Sequence, residues 1–277
     1  MKFGAHVSIS ENIYKAIDRG RSLGYETIQI FHANPRQWQG TSYSRRELEI
    51  FRKKRKESEI EPVFCHTIYL LNLSSPEQCV YKKSVHSLVD SLRFAQNVKS
   101  QGVVTHLGSH LGRGVKFGIQ NIISAINYAL ESVKGGVSVL LENSAGGGTK
   151  IGGNLEEIAQ IIKGIRHKSR IFVCLDTAHT FQYGYDIKNL DSFLLEFDKT
   201  IGLDKLCLLH LNDSKTPFAS HHDQHENIGG GFLGIRFFKE LVNDKKLQHL
   251  PAILETPNFK NIEADRGNLD KIRKLVK

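Results

Sequence analysis

A chain of 277 residues with 40% hydrophobic and 24% charged residues can bury one large core, which excludes a disordered polymer and fits the usual size of one α/β barrel. No stretch approaches the length of uncharged apolar sequence that a membrane-spanning helix needs, and the opening MKFGAHVS shows no basic leader followed by an apolar region, so neither a span nor a secretory signal is expected. The formal net charge of +9 suits a partner rich in phosphate, although charge alone selects none.

In chain order, the first strand pattern is Lys2–His6. Ser8 with Glu11 then reads as a capping box opening a helix that places Ile13, Ala16 and Ile17 on one face. A strand at Thr27–Phe31 precedes a second box, Ser44 with Glu47, at the head of a basic helix. A strand at Val63–His66 follows, then Ser75 with Gln78, a third box with proline at the first helical position. Strands at Val103–His106 and Val137–Glu142 lead to Asn154 with Glu157, which cap a helix through Ile158, Ile161 and Ile162. The last strands are Ile171–Asp176, Leu206–His210 and Ala252–Glu255. Several of these runs are apolar at every position, the mark of strands buried on both faces. Eight strands alternating with helices predict a single-domain (β/α)₈ TIM barrel spanning residues 1–277, with its active site at the C-terminal strand ends. An open doubly wound sheet is disfavoured because the first strand-to-helix turn lacks G-x-G-x-x-G.

Cys65, Cys174 and Cys207 sit in apolar runs, and none of these or Cys79 forms a C-x-x-C pair. A reduced protein of the cytoplasm is therefore expected.

The strand ends carry the chemistry. The third ends in His66, the fourth in His106, the fifth in Glu142, the sixth in Asp176, the seventh in His210 and the eighth in Glu255. In a barrel these ends share one mouth. His179 follows Asp176 by one helical turn, and Asp223 and His225 lie in the loop after His210. That makes nine candidate ligands, five His, two Asp and two Glu, too many for one ion with about four N/O ligands and suited to two or three ions sharing a carboxylate. A lone histidine at a strand end is more often a hydrogen-bonded core residue than a ligand, but carboxylates gathered in one mouth without cations would repel one another at high desolvation cost. His221 and His222 adjoin this group as possible competitors, His6 and His110 read as supporting residues, and His32, His86, His167 and His249 as ordinary surface or core residues. The glycine run 146–153 has the wrong order for a phosphate loop and reads as a flexible turn lining the mouth. No G-x-S-x-G occurs, and no cysteine stands beside a base, so covalent catalysis has little support.

These residues stand in motifs that resemble the endonuclease IV family of apurinic/apyrimidinic endonucleases. The matching segments are GAHVS (4–8), NPRQW (34–38), H-x-x-Y-L-x-N-L (66–73), H-x-G-S-H (106–110), ENSAGGG (142–148), LDTAH (175–179), GYD (184–186), HLNDSK (210–215), D-x-H-x-x-I-G-x-G (223–231) and LETP (254–257). They cover nearly the whole chain. The resemblance implies a barrel with three zinc ions: the first on His66, His106 and Glu142, the second on Glu142, Asp176, His210 and Glu255, the third on His179, Asp223 and His225.

It further implies a DNA-repair enzyme of base excision repair, a monomer. It would cut double-stranded DNA 5′ to an abasic site, leaving a 3′-hydroxyl and a 5′-deoxyribose phosphate, and would trim blocked 3′ ends. A hydroxide shared by two ions and positioned by Glu142 would be the nucleophile. Arg36 and Tyr69 match the positions that fill the gap left by a flipped nucleotide, with Gln37 and Trp38 shaping the same loop.

The sequence departs from the family pattern at Glu11 and Asn12 (usually two glycines), Ile68 (proline), Gln224 (arginine) and Gly230 (glutamate), which bears on DNA contacts rather than ligands. Two alternatives carry less of the sequence. A sugar isomerase or epimerase of the xylose-isomerase type would use Glu142, Asp176, His210 and Glu255 but leave the other histidines idle. A non-catalytic DNA-binding barrel would need none of the nine.

Overall fold

The computed structural model describes residues 1–257 and 262–277. In chain order the elements are β1 (Lys2–His6), α1 (Lys15–Ser22), β2 (Thr27–Phe31), α2 (Arg45–Ser58), β3 (Val63–His66), α3 (Gln78–Asn97), β4 (Gly102–Thr105), α4 (Val115–Ser132), β5 (Ser138–Glu142) and α5 (Leu155–Gly164). They continue through β6 (Ile171–Asp176), α6 (Thr177–Tyr183), α7 (Leu190–Thr200), β7 (Leu206–His210), the short β8 (Asp213–Ser214) and β9 (His225–Glu226), α8 (Gly234–Val242), β10 (Pro251–Leu254) and α9 (Ile262–Leu275). Eight strands close into a barrel in the order β1-β10-β7-β6-β5-β4-β3-β2, all neighbours parallel. This is the (β/α)₈ TIM barrel that the alternating pattern predicts.

The strand period of two explains how the barrel positions its mouth. Phe64, Val104, Leu140, Cys174, Leu208 and Ile253 form a separate buried cluster. Each lies two residues before one of His66, His106, Glu142, Asp176, His210 and Glu255, so both members of each pair face the lumen. The apolar member plugs the barrel at about 2 kcal/mol of burial each, and the polar member stands one layer higher. Register levels that layer: Phe31 pairs with His66, Glu142 with Cys174, and Asp176 with His210.

The helices close the outer shell. In α5, Leu155, Ile158, Ile161 and Ile162 are buried at helical spacing, Glu156 and Glu157 occupy the positive N-terminal end, and the Asn154 side chain accepts the Glu156 N–H. Ser44 and Glu47 form the complete reciprocal capping box of α2.

The other two boxes are not helix caps. The first helix starts only at Lys15, behind Tyr14 with no side-chain cap, and Glu11 instead pairs with Arg19 at 3.0 Å. The third helix starts at Gln78, so Pro76 lies outside it; Ser75 accepts from the Glu77 N–H at 3.1 Å in a local turn. Two strands shift by one residue, leaving His106 and Glu255 just beyond the last paired positions, and β5 starts one residue later with its end unchanged.

All four cysteines are free. Burial pushes the Cys65 and Cys174 thiols up to about 12, so they pack as neutral groups. Among the described residues no helix is long and apolar enough to cross a membrane.

Candidate metal centre and its rim

Glu142, at the end of β5 and buried, is the hub. Its Oε2 lies 3.1 Å from His66 Nε2 and 3.3 Å from His106 Nδ1. Its Oε1 lies 3.1 Å from His210 Nδ1, which also stands 3.3 Å from Glu255 Oε2. One carboxylate therefore presents its two oxygens to two different sets of imidazoles. Beyond it, His179 Nε2 is 3.1 Å from Asp223 Oδ1, and His225 Nε2 is 3.5 Å from the same oxygen and 3.6 Å from Asp176 Oδ2. All nine side chains singled out in the sequence thus meet in one mouth.

Eight of them sort into three groups whose donor atoms lie within 4.8 Å of one another: His66, His106 and Glu142; Glu142, Asp176, His210 and Glu255; and Asp176, His179 and His225, with Asp223 beside the last through His179 and His225. Asp176 stands in the second and third groups, a sharing that motif matching does not reveal.

The rings are aimed by their second nitrogens. Nδ1 of His66 donates to the Thr67 carbonyl at 2.7 Å, Nδ1 of His179 to the Asn143 carbonyl at 2.9 Å, and Nδ1 of His225 to the Glu255 carbonyl at 3.0 Å. A carbonyl only accepts, so each Nδ1 carries a proton, and Nε2 is the nitrogen turned to the centre and free to give its lone pair to a cation. His179 Nε2 and His225 Nε2 are buried and have no hydrogen-bond partner, which is costly unless a cation sits there.

Supporting amides pin one carboxylate and the backbone of two ligand candidates. Asn212 donates to Asp176 Oδ2 at 2.6 Å and accepts the Glu255 N–H at 2.9 Å, while Asn143 accepts the Asp176 N–H at 2.6 Å. Burial would raise the Glu142 carboxyl, but His106, His210 and His66 hold it well below the usual range. Burial would likewise neutralise His179, and Asp176 and Asp223 outweigh it, so its imidazole stays well above its ordinary value. The environment favours positive charge, and a buried N/O set with shared carboxylates fits divalent cations.

The mouth opens into a cleft of about 480 Å³ lined by His106, Glu142, His179, Asp223, His225 and Glu255 with Phe31, Tyr69, Lys215 and Gln224. Lys215 lies inside the HLNDSK motif and is left without a role by the sequence; it is exposed and lines the cleft. A second cleft of about 1060 Å³ adjoins and contains Arg36, Tyr69, Asn12 and Glu11. Tyr69 is 54% exposed, its ring edge-on to Phe31 at 5.2 Å, and its N–H bonds the Pro35 carbonyl at 2.9 Å, tying its loop to the one that carries Arg36.

Gln37 and Trp38 line neither cleft. Trp38 packs half-buried on the core beneath Lys83. Where two glycines were expected, Asn12 bonds Glu47 at 2.8 Å and so fixes the first loop to α2.

His221 turns away from the centre, its Nδ1 3.2 Å from the Ala145 carbonyl and its ring edge-on to Tyr183. The glycine run does not line the 480 Å³ cleft. It is bonded down by Ser144 N–H to the Gly152 carbonyl and Ile151 N–H to the Gly108 carbonyl, each at 2.9 Å.

Sequence comparison agrees with this geometry. A family model described as a xylose isomerase-like TIM barrel matches residues 17–275. A probable endonuclease 4 of Halothermothrix orenii is 40% identical, covering 99% of this chain and all of the relative, and one of Chloroflexus aggregans is 39% identical over 100% and 98%. The crystal structure of endonuclease IV from Thermus thermophilus superposes with a TM-score of 0.88 at 33% identity, over 99% of this chain and 98% of that one. A D-tagatose 3-epimerase-like protein (TM-score 0.73, 20% identity, coverage 99% and 98%) shares the fold alone. The chain belongs to the endonuclease IV family and is a nuclease built on a xylose isomerase-like TIM barrel.

Proposed function

We propose that this protein is a zinc-dependent DNA-repair endonuclease that hydrolyses the phosphodiester 5′ to an abasic site, leaving a 3′-hydroxyl and a 5′-deoxyribose phosphate, and that it also trims blocked 3′ ends. The observation that carries the reading is Glu142 between His66 and His106 on one oxygen and His210 on the other, with the His179, Asp223 and His225 group beside it. Three zinc ions would be held by His66, His106 and Glu142; by Glu142, Asp176, His210 and Glu255; and by His179, Asp223 and His225, with Asp176 close to the last. Bound there, zinc supplies Lewis acidity that brings the pKa of water toward neutrality and offsets charge on phosphate oxygens.

The chain's own side chains do the rest. Glu142 fixes the spacing of the groups on either side of it, and buried amides hold Asp176 and Glu255 so that they need no rearrangement during reaction. Lys215 places a positive charge at the cleft for the substrate phosphate. Arg36 and Tyr69 enter the space vacated when the damaged nucleotide leaves the stack; flipping costs least where the base is already missing, which supplies selectivity. The net charge of +9 favours a polyanion. The 277 residues would act as one domain and as a monomer, on DNA inside the cell.

Metal analysis paired with an abasic-duplex assay on the same preparation tests this. The expected result is about three zincs per chain and a single cut immediately 5′ to the lesion without added magnesium. A single manganese or magnesium ion with no cutting would instead favour a sugar isomerase using Glu142, Asp176, His210 and Glu255. Cutting that survives complete metal removal would overturn the mechanism.

A further inference from the structure

Six of the nine ligand candidates stand at the ends of six barrel strands, β3 to β7 and β10; the other two barrel strands also reach the lumen at that level. Strand β1 contributes His6 and β2 contributes Gln29, register partners in the sheet. Gln29 is fully buried and is the polar centre of the otherwise apolar stretch Ile28–Phe31. Its Nε2 donates to Glu255 Oε1 at 2.7 Å and lies 3.1 Å from His6 Nδ1, while its Oε1 is 3.0 Å from His210 Nε2.

The donor and acceptor roles follow one another. The Glu255 carboxylate can only accept, so the Gln29 nitrogen faces it; the amide oxygen then faces His210 and can only accept; His210 Nε2 must therefore carry a proton. That leaves the His210 Nδ1 lone pair for the centre, next to Glu142 and Glu255. His66, His179 and His225 are aimed by backbone carbonyls, which no side-chain substitution removes. His210 is aimed by a side chain, in the opposite tautomeric sense.

We infer that Gln29 is the positioning residue of the second metal group: it fixes His210 with Nδ1 toward the ion and holds Glu255 at the same time. This rests on the metal reading above. Gln29 touches no substrate, so it acts only through His210 and Glu255. Outer partners of metal-ligating histidines commonly contribute about 10- to 100-fold in affinity.

The test is chelator competition on the full zinc-loaded chain, parent against Gln29→Leu and Gln29→Glu, with kcat and KM on an abasic duplex. In Gln29→Leu one zinc per chain should leave at a chelator concentration about tenfold or more lower, the remaining ions being retained, and kcat should fall with KM little changed. Gln29→Glu keeps an oxygen facing His210 but sets a second carboxylate against Glu255 in place of the amide donor, so it too should release zinc more readily than the parent. Equal zinc retention in the parent and in either variant would overturn the inference. Should Gln29→Leu fail to fold, long-range ¹H–¹⁵N histidine spectra of the zinc-loaded parent still decide: Nε2 protonated and Nδ1 metal-bound in His210 supports it, and the reverse overturns it. A parent that binds no zinc defeats the metal reading itself; a parent that binds zinc as tightly as its variant defeats only the role of Gln29.

Discussion

Nε2 of His66 stands 3.1 Å from Oε2 of Glu142, although 76 residues separate them. The distance follows from the barrel: the two side chains leave the ends of β3 and β5, each two residues above an apolar plug, and β4 between them delivers His106 to the same oxygen. A carboxylate in that position serves two groups at once; Asp176 joins the second group to the third, and Glu142 joins the first to the second.

Glu142→Ala is therefore expected to abolish cleavage. It removes the shared oxygens and leaves His66 and His210 without their partner, so more than one ion should be lost with it. Loss of one electrostatic contact to a transition state already costs about 100-fold in rate, and this change removes the scaffold of several. Turnover in the variant, together with its metal content, checks the point; an unchanged rate would mean that Glu142 is not a ligand.

Tyr69→Ala and Arg36→Ala should separate binding from metal chemistry. Both residues lie on the rim, joined through the backbone bond between Tyr69 and Pro35. Stacking of an aromatic side chain on a base is worth about 1–3 kcal/mol. Weaker binding of the abasic duplex by about 5- to 100-fold is expected, with zinc content unchanged. A variant that loses metal would show that the side chain supports the centre rather than the DNA.

The fold was legible because burial on both faces leaves long apolar strands, and the site because six strand patterns end abruptly in a ligand-type residue. Gln29 escaped notice because it lies inside its strand and interrupts the apolar run instead of ending it. Lys215 lay in a recognised motif, but a lysine there reads equally as solvated surface. The capping boxes at Ser8 and Ser75 misled for a different reason. A serine three residues before an acidic or amide side chain serves a turn as well as a helix, and here an ion pair with Arg19 and the turn around Pro76 claim those groups. Sharing of Asp176 between two groups depends on loop geometry around His225, which no local pattern encodes.

Asp213 should prove a stability residue rather than a ligand. Its buried carboxylate accepts from the N–H groups of Gly229 and Gly231 at 3.0 Å, Leu233 at 2.9 Å and Gly234 at 3.2 Å, folding the glycine-rich turn that follows His225. Side chains are excluded there as well, since a Cβ on Gly231 would collide with the Ser214 carbonyl oxygen. Asp213→Ala leaves several N–H groups unpaired at about 1–3 kcal/mol each where they stay buried, so a loss of about 3–5 kcal/mol is expected, near the top of the range for single substitutions. Urea unfolding with an unchanged slope and a lower midpoint is the readout; a change below about 1 kcal/mol would show that the turn holds without it.

His32 gives the pH dependence. It follows β2, buried, with Nδ1 3.1 Å from the Ser91 hydroxyl. Burial is the largest influence on its imidazole and lowers it to about 4, Asp90 opposing only in part. The unfolded chain, with histidine near 6.5, takes up the proton first. Stability from this residue is therefore complete above about pH 6.5, falls as pH drops toward 4, and changes no further below it. The span corresponds to about 3 kcal/mol. Other groups titrate in the same range, the histidines of the centre among them, so the informative quantity is the difference between parent and His32→Phe, both stripped of metal. Ser91 keeps a partner in that variant, because its hydroxyl also donates to the Ser87 carbonyl at 2.8 Å. Between pH 7 and 4.5 the parent should lose about 2–3 kcal/mol more than the variant. Parallel stability curves would mean that His32 is protonated in the folded protein, and that the pocket behind β2 admits enough water to carry the charge.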